Sequence, residues 1–157
     1  MTKEVLSQKE KELIAVGGSV AAGCVKCSHY HFRQAFKQGA RQDEVLGAVI
    51  GATEVISDSV EILQRTAYEL MDVERGEVTT GIDEATDSLT ALIKLAAAVA
   101  VNNVANTRRH IEAANRLGVS PAEIHLAIKL AKVMQNRAGE FVDEVIEELT
   151  AEPVAEN

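Results

Sequence analysis

Aromatic residues are scarce in this chain of 157 residues: three Phe, two Tyr and no Trp. A β-sandwich or barrel, which draws on aromatic and β-branched side chains to fill its faces, is therefore disfavoured. Only two prolines interrupt the sequence, and abundant Ala, Glu, Leu and Val over long unbroken stretches favour helices. Basic charge is also in short supply, with sixteen Lys and Arg against 24 Asp and Glu and a formal net charge of -8. Nucleic acid is not an expected partner, because its affinity for proteins rests largely on clustered cations that release counterions. Long hydrophobic runs are missing as well. The longest, Leu95 to Val101, falls far short of the roughly 20 residues that span a bilayer, and the segment Met1 to Glu10 lacks the apolar stretch of a secretory signal. No membrane association and a cytoplasmic location are the expectations. With 46% hydrophobic and 25% charged residues the composition is that of a globular chain, and its length suits one domain that builds a core without staples. The fold class expected is all-α.

Helical spacing runs through Leu13, Ile14, Val16 and Val20 and pauses near Gly17-Gly18 and Gly23. This predicts a helix, a loosened junction and a second helix from near Cys24. Gly39 suits a left-handed cap at the end of that second helix. A third helical region starts around Gln42 and Asp43 and continues through Leu63, where Gly47 and Gly51 could bend it or admit a close neighbour. Residues 74–83 hold two Gly and little periodicity and read as a linker. Helices follow from about Ala85 to Val101, from Val104 to Leu117 and from Pro121 onward. Ser120-Pro121-Ala122-Glu123 is a capping box with Pro at the first helical position. The tail from Thr150 is expected to fray.

The two halves repeat each other. A shift of 79 places His31 on His110, Gly39 on Gly118 and Glu44 on Glu123, with 11 identities in the 41 positions from 12 to 52. The chain thus reads as a single domain, 1–157, of two repeated halves, one over about 8–72 and the other over about 84–149. They differ where chemistry would sit. Cys24 and Cys27 align with Asn103 and Asn106, and Glu12 aligns with Ala91.

Cys24 and Cys27 are the only cysteines. In a reducing compartment such a pair is more often catalytic or metal-binding than a permanent staple, and a disulfide closing so short a loop stabilises little. On a helix, Cys24, Cys27 and His31 fall at i, i+3 and i+7 and share a face. Side chains lean toward a helix N-terminus, so His31 would reach back over Cys27 as a base, while the helix N-terminus favours thiolates. Two thiols and a base make a dithiol–disulfide centre. Spacing alone leaves open which thiol attacks. Zinc binding is a weaker alternative, because no second C-x-x-C and no spaced histidine pair completes a tetrahedron. Inert buried thiols are another. His29 falls off the Cys27 face, His110 reads as a core or junction histidine and His125 as structural or solvated. Lys26, between the thiols, could favour a thiolate but is expected to be solvated. Glu12 cannot be joined to the thiols by spacing. It reads either as a surface acid among Lys9, Glu10 and Lys11 or as an acid bordering the buried side of the first helix, which suits proton transfer.

The run Glu12, eleven residues, Cys24-Val-Lys-Cys27, three residues, His31, or E-x11-C-x2-C-x3-H, resembles the signature of the carboxymuconolactone decarboxylase/alkyl hydroperoxide reductase D (AhpD-like) superfamily. The likeness is clearest from Glu10 to Ala52, and the repeat extends it weakly over most of the chain. It implies an all-helical AhpD-like fold and, for members that keep both thiols, a peroxidase or disulfide reductase. Carried over residue by residue, it makes Cys27 the thiol that attacks peroxide and Cys24 the proton donor and resolving thiol that closes a redox-active Cys24–Cys27 disulfide, with no other cofactor and no metal. Glu12 and His31 would form the proton relay, directly or through a water. The implied reductant is a dithiol, either a lipoylated protein or a peroxiredoxin system. A homo-oligomer is implied too, and two repeats per chain fit a trimer better than a hexamer. The sequence departs from some members in carrying the motif in its first half. A decarboxylase-like acid–base enzyme using Glu12 and His31, and a non-catalytic redox-sensing helical module, are the competing readings. No clustered Arg pocket for a dicarboxylate is visible in the sequence.

Overall fold

The computed structural model describes residues 5–73 and 85–150. The expected linker and most of the expected frayed tail lie outside the described residues. Six helices follow in order: α1 (Gln8–Ala21), α2 (Val25–Lys37), α3 (Gln42–Leu70), α4 (Ser88–Ala100), α5 (Val104–Arg116) and α6 (Pro121–Thr150). Among the described residues there are no strands, so the protein is all-α. No described helix is long and apolar enough to cross a membrane.

α1 and α4 form the centre. α4 is the apolar Ala-rich segment, buried almost throughout from Ala91 to Ala98, and it packs on α1, α3, α5 and α6. α1 packs on α2, α3, α4 and α6, with Leu13, Ile14 and Val16 fully buried. Contrary to the expected junction, α1 runs unbroken through Gly17-Gly18. The two glycines serve packing instead. A Cβ on Gly17 would stand 2.7 Å from Ile93 Cγ2 and 3.2 Å from the Ile93 carbonyl oxygen, and one on Gly18 would stand 3.4 Å from Ala131 Cα. Their absent side chains let α4 and α6 approach α1 closely. The break falls a turn later, at Gly23, whose φ of 68° is the left-handed conformation that ends a helix.

The helix boundaries repeat with the same step that relates the sequences. α2 and α5 are both 13 residues long, and Gly39 and Gly118 both close their helices at positive φ, 84° and 76°. Ser7 caps α1 through a capping box with Glu10. The expected box at α6 is formed too, with Ser120 Oγ accepting from the Glu123 amide and the Glu123 carboxylate accepting from the Ser120 amide. α3 extends beyond Leu63 to Leu70, and α6 likewise runs on past Phe141, exposed from Val142 to Thr150.

Candidate active site

The turn between α1 and α2 builds the dithiol centre. Cys24 is the N-cap of α2, outside the helix, with an extended backbone. Its amide donates to the Ser19 carbonyl at 3.0 Å, and Ser28 Oγ donates to Ser19 Oγ at 3.3 Å, which moors the start of α2 to the end of α1. Cys24 Sγ accepts from the Cys27 amide at 3.2 Å, so the sulfur takes the place an Asp or Ser oxygen takes in an ordinary cap. Cys24 and Cys27 form a disulfide with Cα atoms 5.3 Å apart. Both are buried and pack with Met134 of α6.

α1 and α2 pack against each other, and this brings Glu12 to His31. His31 Nδ1 lies 2.7 Å from Glu12 Oε2, and the side chains are 13% and 20% exposed. With the carboxylate accepting from Nδ1–H, Nε2 is the nitrogen left to take or give a proton. The Tyr30 ring meets His31 edge-on, 5.0 Å between centroids. Glu12 is therefore not the free surface acid that its charged neighbours allow.

Two clefts of about 370 Å³ each open on the disulfide. One holds Cys27, Tyr30, His31, Met134 and Arg137; the other holds Cys24, Val25, Ala138, Val142 and Val145. Lys26 and Phe141 belong to both clefts and divide them, with Lys26 Nζ 4.3 Å from the Phe141 ring centroid. Lys26 is solvated as expected, its side chain 70% exposed, and besides this cation–π contact it sits 3.8 Å from the Glu144 carboxylate. Cys27 and His31 share a cleft, as one-face spacing implies, while Cys24 opens onto the other, because it precedes the helix.

Sequence reasoning missed the α6 wall. Met134, Arg137, Ala138 and Phe141 lie more than a hundred residues from the cysteines, and the motif does not reach them. The available signal was the length of the helix beginning at Pro121, whose apolar positions continue through Phe141, Val142, Val145 and Ile146, beyond what its own half of the core covers.

His29 and His125 are exposed, and His110 is buried, 3% exposed, at the junction of the second half. There Asn103 Oδ1 accepts from the Asn106 amide at 2.8 Å, repeating the Cys24 cap without sulfur. Asn106 Nδ2 donates to Ser59 Oγ, and Arg109 pairs with Asp58 at 3.3 Å. Burial, helped by the Lys94 and Arg109 charges and opposed by Asp58, pushes the His110 imidazole down to about 4. The second half thus has the capped turn and the histidine, with amides where the first half has the cysteine pair.

A helical bundle carrying a capped C-x-x-C disulfide, with a carboxylate–imidazole pair on the adjoining helices, defines a dithiol protein of the all-α class. Residues 1–65 match the model of the carboxymuconolactone decarboxylase family, a stretch that covers α1, α2 and most of α3 and contains all four site residues. The match spans the first 65 of the 157 residues, and over that segment the chain is similar to the family. No curated protein matches the chain.

Proposed function

We infer that the protein is a thiol-dependent peroxidase or disulfide reductase of the alkylhydroperoxidase type. The observation that carries this reading is the placing of Cys27 and His31 in one cleft, with His31 held by Glu12 and with Cys24 bonded to Cys27. In the reduced protein, the Cys27 thiolate attacks the terminal oxygen of a hydroperoxide, the O–O bond breaks, and the departing alkoxide or hydroxide takes a proton supplied through His31. Cys27 becomes a sulfenic acid. The Cys24 thiol then attacks that sulfur, water leaves, and the disulfide closes. A dithiol donor reopens it by exchange, becoming a disulfide itself as both cysteine thiols are restored. A lipoylated protein or a peroxiredoxin system fits as donor, and a homotrimer is the assembly that suits two repeats per chain.

The deciding measurement is peroxide consumption with a dithiol reductant. Cys27→Ser is expected to abolish turnover while keeping the helical circular dichroism, and Cys24→Ser is expected to stop after one turnover as a sulfenic acid that a dimedone label captures. Unchanged turnover in Cys27→Ser would overturn the reading. Arg137, brought to the mouth of the Cys27 cleft by α6, favours one second reading: acid–base chemistry by Glu12 and His31 on a small carboxylated ring. That activity would survive replacement of both cysteines by serine.

A further inference from the structure

A further cavity lies away from the disulfide. It measures about 640 Å³ and lies against α5, α6 and the turn that joins α4 to α5, sharing no residue with the two dithiol clefts. Its size falls within the roughly 300–1,000 Å³ usual for small-molecule sites. Val99, Val104, Ile111 and Ile128 give it an apolar floor, and Arg108 and Lys132 stand on its wall. Among the described residues no carboxylate pairs with either cation. This sets them apart from Lys26, Arg109 and Arg137, which all have acidic partners. The one acid on the wall, Glu112, leaves it with a single net positive charge. Asn102, Asn103, Thr107 and Gln135 complete the rim, and Gln135 is already engaged, donating to the Ala100 carbonyl at 3.2 Å.

The repeat sharpens the point. Ile111 stands where the first half has Phe32, and Arg108 and Lys132 stand where it has His29 and Thr53. At these positions the second half thus has a smaller apolar side chain in place of an aromatic ring, and two cations in place of a histidine and a threonine. An apolar floor under uncompensated positive charge matches a molecule with an apolar body and one anionic head.

We propose that this cavity binds a small amphipathic monocarboxylate, its hydrocarbon body on Val99, Val104, Ile111 and Ile128 and its carboxylate between Arg108 and Lys132. α6 carries both sites on different faces, Lys132 toward this cavity and Met134 and Arg137 toward Cys27, so the carboxylate site is separate from the redox centre.

The test is calorimetric titration of the full chain with octanoate, octan-1-ol and octyltrimethylammonium. Octanoate is expected to saturate one site per chain at least tenfold more tightly than either of the others. Arg108→Ala with Lys132→Ala is expected to weaken it at least tenfold, and Lys129→Ala, an exposed cation outside the cavity, to leave it unchanged. Ile111→Phe, which restores the first half's residue, is expected to abolish binding; the double alanine variant carries the test if that protein does not fold. Equal affinity for the three probes, absence of saturable binding, or octanoate binding that survives the double alanine variant or a folded Ile111→Phe overturns the proposal. So does sedimentation in which a folded Ile111→Phe dissociates an oligomer while octanoate fails to bind, which assigns this face to contact between copies.

Discussion

His31 Nδ1 lies 2.7 Å from a carboxylate oxygen of Glu12, 19 residues earlier and on a different helix. With the carboxylate accepting from Nδ1–H, Nε2 is left free for the proton transfer proposed for His31. Glu12→Gln keeps the shape of the side chain but withdraws the charge that selects Nδ1–H. Peroxide turnover in this variant is expected to fall by roughly a hundredfold or more, within the range usual for acid–base groups. Because Glu12 is partly exposed, thermal stability should change by no more than about 1 kcal/mol. Steady-state kinetics across pH, beside a melting curve, separates the two effects: a structural role would move the melt, and a proton-relay role moves the pH profile.

The Asn103 cap shows that this turn closes without sulfur. Replacing Cys24 and Cys27 together by Asn, the residues of the second half, should leave a folded protein within about 1–2 kcal/mol of the parent, since an amide oxygen caps a helix well and the lost disulfide closes only a short loop. Denaturant unfolding checks the stability. A large loss of helix would mean that the pair holds the fold together.

Gly17 and Gly47 both sit inside helices, yet opposite outcomes are expected on changing each to Ala. At Gly17 the added methyl meets Ile93 at 2.7 Å and the Ile93 carbonyl at 3.2 Å, so α1 and α4 must separate, with a loss of about 1–3 kcal/mol. At Gly47 it meets nothing within 4 Å, and better helix propensity should add roughly 0.5–1 kcal/mol. Melting temperatures of the two variants in one buffer decide the matter.

His110 makes stability fall in acid. Its folded-state value is about 4, below the ordinary 6.5, so between these pH values the unfolded chain binds a proton that the folded chain refuses. Stability contributed by the neutral imidazole is complete above about 6.5 and is progressively lost as pH drops toward 4, by up to roughly 2–3 kcal/mol. His110→Gln should flatten the stability profile over this interval when urea unfolding is followed from pH 7 to 4, whereas an unchanged slope would assign the acid sensitivity to other groups.

Much of the helix layout was legible because it rests on local rules. Ser120 and Glu123 mark the start of α6 by a capping box, Gly39 and Gly118 end helices because L side chains avoid positive φ, and the shift of 79 aligns α2 with α5. The Gly17-Gly18 pair misled for the same reason. A glycine inside a helix weakens it locally, and only contact with Ile93 and Ala131 gives the pair its purpose.

The candidate site divides along a similar line. Sequence by itself determined the all-α class, the repeat, and the placing of Cys27 and His31 on a shared helical face, since each depends on residues close in the chain or on a regular period. Tertiary structure alone decided that Glu12 turns toward His31, that Cys24 opens onto a different cleft from Cys27, and that Lys26, Phe141, Met134 and Arg137 wall the disulfide. Those relations depend on how α1 and α6 pack around α2. A side chain's partner across a helix interface follows from the packing of whole helices, to which distant glycines and alanines contribute as much as the residues of the motif.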